Sequence, residues 1–363
     1  MEVINTNIFI TISFLLSLIV SVALMPIVNK IGLKYKVLDI PDQRKQHKGE
    51  IVRIGGIAIF LGFIIGLIGI IIISSFYLNI SINLTNYLKV IFSAFLFFLL
   101  GISDDIFNMK PLTRLLIQII FGSLMYFMNI KFDALDINWM SQENNIFLLN
   151  DFFSYIFTIL WVVGITNALN WLDGLDGLAG GLSIISQLGL ITIFLFLSKW
   201  ELVFLCSALL GSSVGFLRYN FFPAKILMGD GGSYLLGSML GTLSIIGLGY
   251  EQQINGQQYQ IFPITIAIFL IFIPIFDMVF VMLERSFKGY SVFYPDRRHL
   301  HYKLLRKGLH PRSVVIIYYG IAQAFCCLAV TLVSDYFNTF LICLSFILFI
   351  FSLLYCLNFK NNL

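Results

Sequence analysis

Residues 152–181 read FFSYIFTILWVVGITNALNWLDGLDGLAGG. An apolar run fills 152–170, and another follows at 178–198. A bilayer span takes about 20 apolar residues, so each run is long enough to be one. Around their junction stand Asn167, Asn170, Asp173 and Asp176 at three-residue intervals, with Gly174, Gly177, Gly180 and Gly181 among and after them. On a helix, Asn167 and Asn170 share one face, and so do Asp173 and Asp176. The stretch therefore predicts a membrane helix ending in a polar ribbon, a glycine-rich break, and a second membrane helix.

The same pattern repeats outward in both directions. Apolar runs fall at 8–29, 52–76, 87–102, 114–130, 152–170, 178–198, 201–217, 232–250, 261–283, 314–334 and 337–358. Of the 363 residues, 59% are apolar or aromatic and 12% charged, where a soluble protein is about one-quarter charged. That composition excludes a soluble enzyme, a disordered chain and a nucleic-acid reader working in water, so no nucleic-acid partner is expected. The expected fold is all-α: a polytopic membrane helix bundle of about 11 transmembrane helices, with residues 1–363 as a single transmembrane domain.

Charge gives the expected orientation. Of 23 Lys and Arg, all but Lys89, Lys131 and Lys199 lie in or beside loops that follow odd-numbered runs, or in the C-terminal tail. The positive-inside rule then places the N-terminus outside and the C-terminus in the cytoplasm. Asp104, Asp105, Asp173, Asp176 and Asp230 gather at the cytoplasmic ends of runs, while Asp133, Asp136, Glu143, Asp151, Glu201, Glu251 and Asp335 are scattered on the other side. No Lys or Arg precedes the first run, so it reads as a retained helix rather than a cleaved signal. The five cysteines, Cys206, Cys326, Cys327, Cys343 and Cys356, lie in apolar runs without metal-type spacing and read as core residues.

Five constellations carry polar chemistry. Adjacent carboxylates at Asp104-Asp105 favour a cation or a shared proton, or else cap a helix end; Arg114 follows nine residues later. The ribbon from Asn167 to Asp176 offers oxygen ligands of the kind a hard cation such as Mg²⁺ prefers. Residues 215–233 form an aromatic, basic and glycine-rich loop, with Asp230 near the start of the next helix, where phosphate binds directly or through a metal. Residues 295–303, PDRRHLHYK, set two arginines beside two histidines and suit a diphosphate. Residues 39–48, DIPDQRKQHK, form a basic loop that can hold lipid phosphate and contains Arg44 and His47. Each basic loop also reads simply as a positive-inside loop. Asp277 stands inside run 9 just after Pro274; a charge there costs roughly 2.5–3.5 kcal/mol on insertion scales and should turn inward, into a structural pairing.

Taken in order, these residues resemble the polyprenyl-phosphate N-acetylhexosamine-1-phosphate transferases, which include the phospho-MurNAc-pentapeptide transferase. The matching stretches are DxPxxRKxH at 39–47, Gly55-Gly56, Asp104-Asp105, NxxNxxDGxDGLAGG at 167–181, NxxPAxxxMGDxGS at 220–233 and DRxHLH at 296–301. The resemblance implies a multi-pass enzyme of the bacterial cytoplasmic membrane with its site on the cytoplasmic face, and it admits a homodimer. It implies transfer of a sugar-1-phosphate from a UDP-N-acetylhexosamine donor to polyprenyl phosphate, with Mg²⁺ as cofactor and Mn²⁺ as a substitute. Asp230 would be the metal ligand and Asn170 the second. Asp104 or Asp105 matches the position that deprotonates or orients the lipid phosphate, Asp173 joins them as a catalytic candidate, and Arg114 meets phosphate. Asp173, Asn167 and Asn220 would line the nucleotide side. Arg297, His299 and His301 would address the diphosphate and sugar, with Asp176, Arg44 and His47 as further substrate contacts.

Two positions depart from the family pattern: Leu227 where an aromatic residue is usual, and Val52 where proline is usual. The DRRHLH stretch looks like the GlcNAc-type members and lacks the uninterrupted histidine run of the MurNAc-pentapeptide enzymes. UDP-GlcNAc, or a close UDP-N-acetylhexosamine, is therefore the expected donor, with UDP-MurNAc-pentapeptide the alternative. A membrane transporter would set its carboxylates near the bilayer midplane, where only Asp277 lies. A CDP-alcohol phosphotransferase would need an Ala-Arg pair after Asp176-Gly177, where this chain has Leu-Ala-Gly-Gly.

Overall fold

A computed structural model describes residues 2–40, 49–77, 84–137, 146–254, 256–291 and 298–333. The run at 337–358 lies outside the described residues. Elements follow in the order α1 Glu2–Tyr35, β1 Leu38–Asp39, β2 Ile51–Val52, α2 Gly56–Tyr77, α3 Leu84–Phe107, α4 Pro111–Phe127, β3 Ala134–Asp136 and β4 Ile146–Leu148. Then come α5 Asp151–Leu172, α6 Leu178–Phe196, α7 Trp200–Asn220, α8 Gly229–Leu248, β5 Tyr250–Ile254, β6 Gln257–Pro263, α9 Ile264–Leu270, α10 Phe272–Phe287, α11 Leu300–Arg306 and α12 Pro311–Thr331. Among the described residues, eight helices are long and apolar enough to cross a membrane. The outer helices turn large apolar side chains such as Ile19, Ile72, Leu88 and Leu160 outward, as lipid-facing surfaces do. The chain is a polytopic helical membrane protein.

Two expectations need correction, on run 9 and on strands. Run 9 is not one straight span. Its first residues belong to β6, and the remainder divides into α9 and α10, which meet at 89°. Pro274 explains the break. It has no N–H, and its ring would collide with the carbonyl four residues back, at Leu270; α9 ends there, and Pro274 falls in the first turn of α10, where proline is tolerated. Run 4 forms α4, an apolar helix of 17 residues starting at Pro111, shorter than the other candidate spans. The fold is also not purely helical: β1 and β2 pair antiparallel, and β4-β3-β6-β5 form a four-stranded sheet in which β3 and β6 run parallel.

α8 forms the centre, and nearly all of it is buried. Small residues permit this. A Cβ on Gly101 of α3 would stand 2.2 Å from the Asp230 carbonyl oxygen, so only glycine lets the two backbones meet there. α1 lies against α7 through serines: Ser13 donates to the Phe204 carbonyl and Ser21 to that of Ser212.

The bundle ends sort into two opposite faces. α3, α5 and α7 end, and α2, α4 and α8 begin, around Asp105, Asn170, Asn220 and Asp230. At the other face, Lys199 donates to the carbonyls of Gly247 and Gly249 at the end of α8, and Tyr87 Oη donates to the Glu201 carbonyl. The four-stranded sheet collects the connections after α4 and α8. Among the described residues, successive helix ends through α8 fall at these two faces in turn.

Candidate active site

Arg53 is positioned first by backbone. Its neighbours Val52 and Ile54 are buried, and the Val52 carbonyl accepts from Leu227 N at 2.8 Å. Gly55 N and Gly56 N donate to the carbonyls of Leu227 and Met228. The chain entering α2 is thereby fastened to the chain entering α8. Both positions that depart from the family pattern, Val52 and Leu227, take part in this fastening through backbone atoms alone.

The two adjacent carboxylates have different work. Asp105 Oδ1 accepts from Arg53 Nε at 2.9 Å and from Asp230 N at 3.0 Å, with Arg53 Nη2 paired to it at 2.8 Å, and Oδ2 accepts from Gly231 N at 3.0 Å. A carboxylate at the start of α8 satisfies N–H groups that the helix leaves unpaired. Gly229 makes the approach feasible: its φ is +68°, and a Cβ there would lie 1.9 Å from the Arg53 carbonyl oxygen and 2.5 Å from Asp105 Oδ2. Asp104 accepts from Met109 N at 2.8 Å through Oδ1 and pairs with Arg114 through Oδ2.

Asp230 is where these parts converge. Arg53 Nη2 and Arg114 Nη1 stand 3.5 and 3.6 Å from its Oδ2. Asn170 Nδ2 donates to its Oδ1 at 2.6 Å and to Ser233 Oγ at 2.9 Å. Arg114, which reaches Asp230, is the same arginine that Asp104 holds. Carboxylates gathered around shared arginines favour a further cation nearby. A half-turn of the Asn170 amide would add its oxygen to the set. The oxygen donors of Asp230 and Asn170 therefore fit a hard cation. Among the described residues, no three His, Cys, Asp or Glu side chains form a ready-made metal site; Mg²⁺ does not need one, because water and substrate phosphates complete its shell.

Asp230 opens onto a cavity of 1460 Å³ with two unlike ends. One wall, from α4 and α5, is apolar: Leu115, Ile119, Ile156, Ile159, Leu160 and Val163. The other is polar and carries Asp173, Asp176, Asn220, Arg285, His299 and Tyr302. Asp176 Oδ2 accepts from Ala224 N, and Asn220 bridges Gly177 N and the Ile226 carbonyl, so both brace the loop 221–228. Burial first, then the charges of Asp105 and Asp176, push the Asp173 carboxyl up to about 7.

The structure gathers most of the residues expected from sequence, with three differences. Asp104 and Asp105 are 2% and 4% exposed and lie behind the cavity wall; the arginines they hold face the cavity instead. Asn167 stands one turn deeper along α5 than Asn170, donating to Gln118 Oε1 at 2.6 Å and to the Val163 carbonyl at 2.8 Å, where the apolar wall begins. His301 is wholly buried against Gly174, and among the described residues neither ring nitrogen has a hydrogen-bond partner. Burial pushes its imidazole down to about 3, so the ring is neutral. Arg44, His47 and Arg297 lie outside the described residues. Arg53 and Arg285 had no assigned role. Arg285 sets its guanidinium over Trp171, 5.2 Å from the ring centroid. The available signal for Arg53 was its place just before Gly55-Gly56.

Residues 87–248 match the family model described as glycosyl transferase family 4. A relative from Bacillus subtilis (strain 168), named "Probable undecaprenyl-phosphate N-acetylglucosaminyl 1-phosphate transferase", is 34% identical over 90% of this chain and 85% of its own length. The chain belongs to glycosyl transferase family 4. The undecaprenyl-phosphate alpha-N-acetylglucosaminyl 1-phosphate transferase of Salmonella typhi is 31% identical over 80% of this chain and 74% of its own. The decaprenyl-phosphate N-acetylglucosaminephosphotransferase of Mycobacterium tuberculosis (strain ATCC 25618 / H37Rv) is 29% identical over 77% and 71%. The matched 87–248 segment contains Asp104, Asp105, Arg114, the ribbon and Asp230, but stops before Arg285 and His299.

Arg53→Lys keeps the positive charge but loses the fork that spans Asp105 and faces Asp230. Each charge-assisted hydrogen bond lost is worth about 1.5–3 kcal/mol. Turnover by the purified, folded variant should fall about tenfold or more; turnover equal to wild type would show that the fork is dispensable.

Proposed function

We propose that the chain transfers GlcNAc-1-phosphate from UDP-GlcNAc to a polyprenyl phosphate, releasing UMP. The observation that carries this reading is the two-ended cavity, whose apolar wall and polar wall meet at Asp230 between two arginines. A prenyl chain needs the first wall and a nucleotide diphosphate the second. Their phosphates can meet only where positive charge offsets repulsion. The relatives' names agree with this donor and acceptor.

Arg53 and Arg114 would grip phosphate oxygens at the meeting point, and the carboxylates of Asp105 and Asp104 hold each guanidinium in place. Asp230 and Asn170 would hold Mg²⁺, for which Mn²⁺ would substitute. When bound, the cation supplies charge neutralisation at the reacting phosphates. An acceptor phosphate oxygen attacks the sugar-bearing phosphorus, that phosphorus parts from its bridging oxygen, and UMP leaves with the electron pair. Asp173, with its pKa about 7, can present a proton to a phosphate oxygen on the donor side. The apolar wall shields the acceptor end from water.

The orientation follows from the charge split: the site face is cytoplasmic, in a bacterial cytoplasmic membrane, and the four-stranded sheet lies outside. A reporter inserted within 131–150 should read as external, and a cytoplasmic signal would reverse the arrangement. Purified protein supplied with UDP-GlcNAc and undecaprenyl phosphate should form lipid-diphosphate-GlcNAc, lose activity with EDTA and regain it with Mg²⁺ or Mn²⁺. Asp230→Asn should lower turnover by at least about 10²-fold, as for loss of a principal electrostatic stabiliser. Near-normal turnover of that variant would refute the role given to Asp230, and a donor preference for UDP-MurNAc-pentapeptide would refute the substrate.

A further inference from the structure

Asp277 lies on α10 and is 1% exposed. Neither of its oxygens serves its own helix. Oδ2 lies 2.6 Å from His299 Nδ1, and Oδ1 accepts from Leu300 N at 2.9 Å. The carboxylate thus fastens the start of α11 to α10 across 22 residues of chain. His299 is also a wall residue of the cavity. Its ring stands edge-on to Trp171, with centroids 6.2 Å apart, and nearly parallel to the ring of His301 at 5.4 Å.

This geometry decides which ring nitrogen meets a ligand. An ionised carboxylate only accepts hydrogen bonds, so the nitrogen facing Asp277 carries a proton. Nδ1 is thereby occupied, and Nε2 is the nitrogen left for the cavity. Unlike both nitrogens of the neighbouring His301, it is not sealed away from the cavity without a partner. A proton on Nε2 as well makes an imidazolium, and the Asp277 carboxylate behind the ring offsets its charge.

We propose that Asp277 is a positioning residue that acts through His299, holding Nδ1–H and supporting the imidazolium whose Nε2–H is aimed at the diphosphate of the sugar-nucleotide donor. The proposal rests on the functional reading above. In the transfer step, the bond between the sugar-bearing phosphorus and its bridging oxygen breaks, and UMP departs with the electron pair. The hydrogen bond from Nε2 stabilises the negative charge gathering on the departing phosphate, and no proton need be lost from the ring. A pairing that serves folding alone would equally bury Asp277, but it would leave donor kinetics and the tautomer of His299 independent of the carboxylate.

The test uses the full-length purified protein. Initial rates are measured against UDP-GlcNAc at saturating undecaprenyl phosphate, and the reverse, for wild type, Asp277→Asn, His299→Ala and the double variant. Asp277→Asn should lower kcat/KM for UDP-GlcNAc by about 10–100-fold, as loss of an orienting partner does, with KM for the lipid phosphate within about twofold of wild type. The double variant should be no worse than His299→Ala alone, because both changes remove one unit. Losses that multiply, or a loss confined to the lipid substrate, would overturn the proposal. A second measurement needs no variant. The chain has four histidines, so ¹⁵N-histidine labelling can report the protonation of each ring nitrogen. His299 Nδ1 should be protonated in wild type, and an unprotonated Nδ1 would overturn the proposal even if Asp277→Asn failed to fold. If wild type forms no lipid-linked product from UDP-GlcNAc, the functional reading fails on its own, while the protonation of Nδ1 still decides the Asp277–His299 assignment.

Discussion

The carboxylate of Asp105 holds the site together. It joins three pieces of chain that are far apart in sequence: the end of α3 that carries it, the Arg53 segment before α2, and the first N–H groups of α8. Asp230 sits in that same first turn, so its position follows from the cap. The close passage of α3 over α8 at Gly101 serves the same junction. A buried carboxylate is costly by itself, and a paired one that fills its hydrogen bonds recovers much of that cost. Asp105 fills both oxygens.

This arrangement separates support from contact. Asp104 and Asp105 are buried behind the wall, and Arg114 and Arg53 reach past them toward the cavity. An arginine alone at the edge of an apolar groove would be free to swing. Held from behind, its fork is presented in one orientation, which is what a phosphate oxygen pair requires. The same logic recurs across the cavity, where Asp277 holds His299 from α10. Both carboxylate-backed groups border the space in which an anionic donor and a lipid phosphate would meet.

Much of this was legible in the sequence. Long apolar runs declare themselves one by one, so most of the long helices could be read directly. The ribbon Asn167 to Asp176 and the Gly229-Asp230 turn were visible because oxygen side chains are conspicuous at the end of an apolar run. Features that depend on distant pairing were not legible. Strands β3 and β4 have three residues each, and β3 meets β6 more than 120 positions later. The break in run 9 was hidden because α9 and α10 are both apolar, although Pro274 marked it. Arg53 looked like one more basic residue of a cytoplasmic loop until Asp105 was seen beside it. His301 looked like a ligand of the donor, but its burial against Gly174 depends on how α11 docks, which spacing cannot supply.

The central claim is that a sugar-1-phosphate, rather than a sugar, crosses from nucleotide to lipid at Asp230. The most direct measurement uses UDP-GlcNAc carrying ³²P only in the sugar-bearing phosphate, with undecaprenyl phosphate and the purified protein. The label should move into the lipid product, and the released nucleotide should be unlabelled UMP. Release of labelled UDP, with an unlabelled lipid product, would contradict that claim.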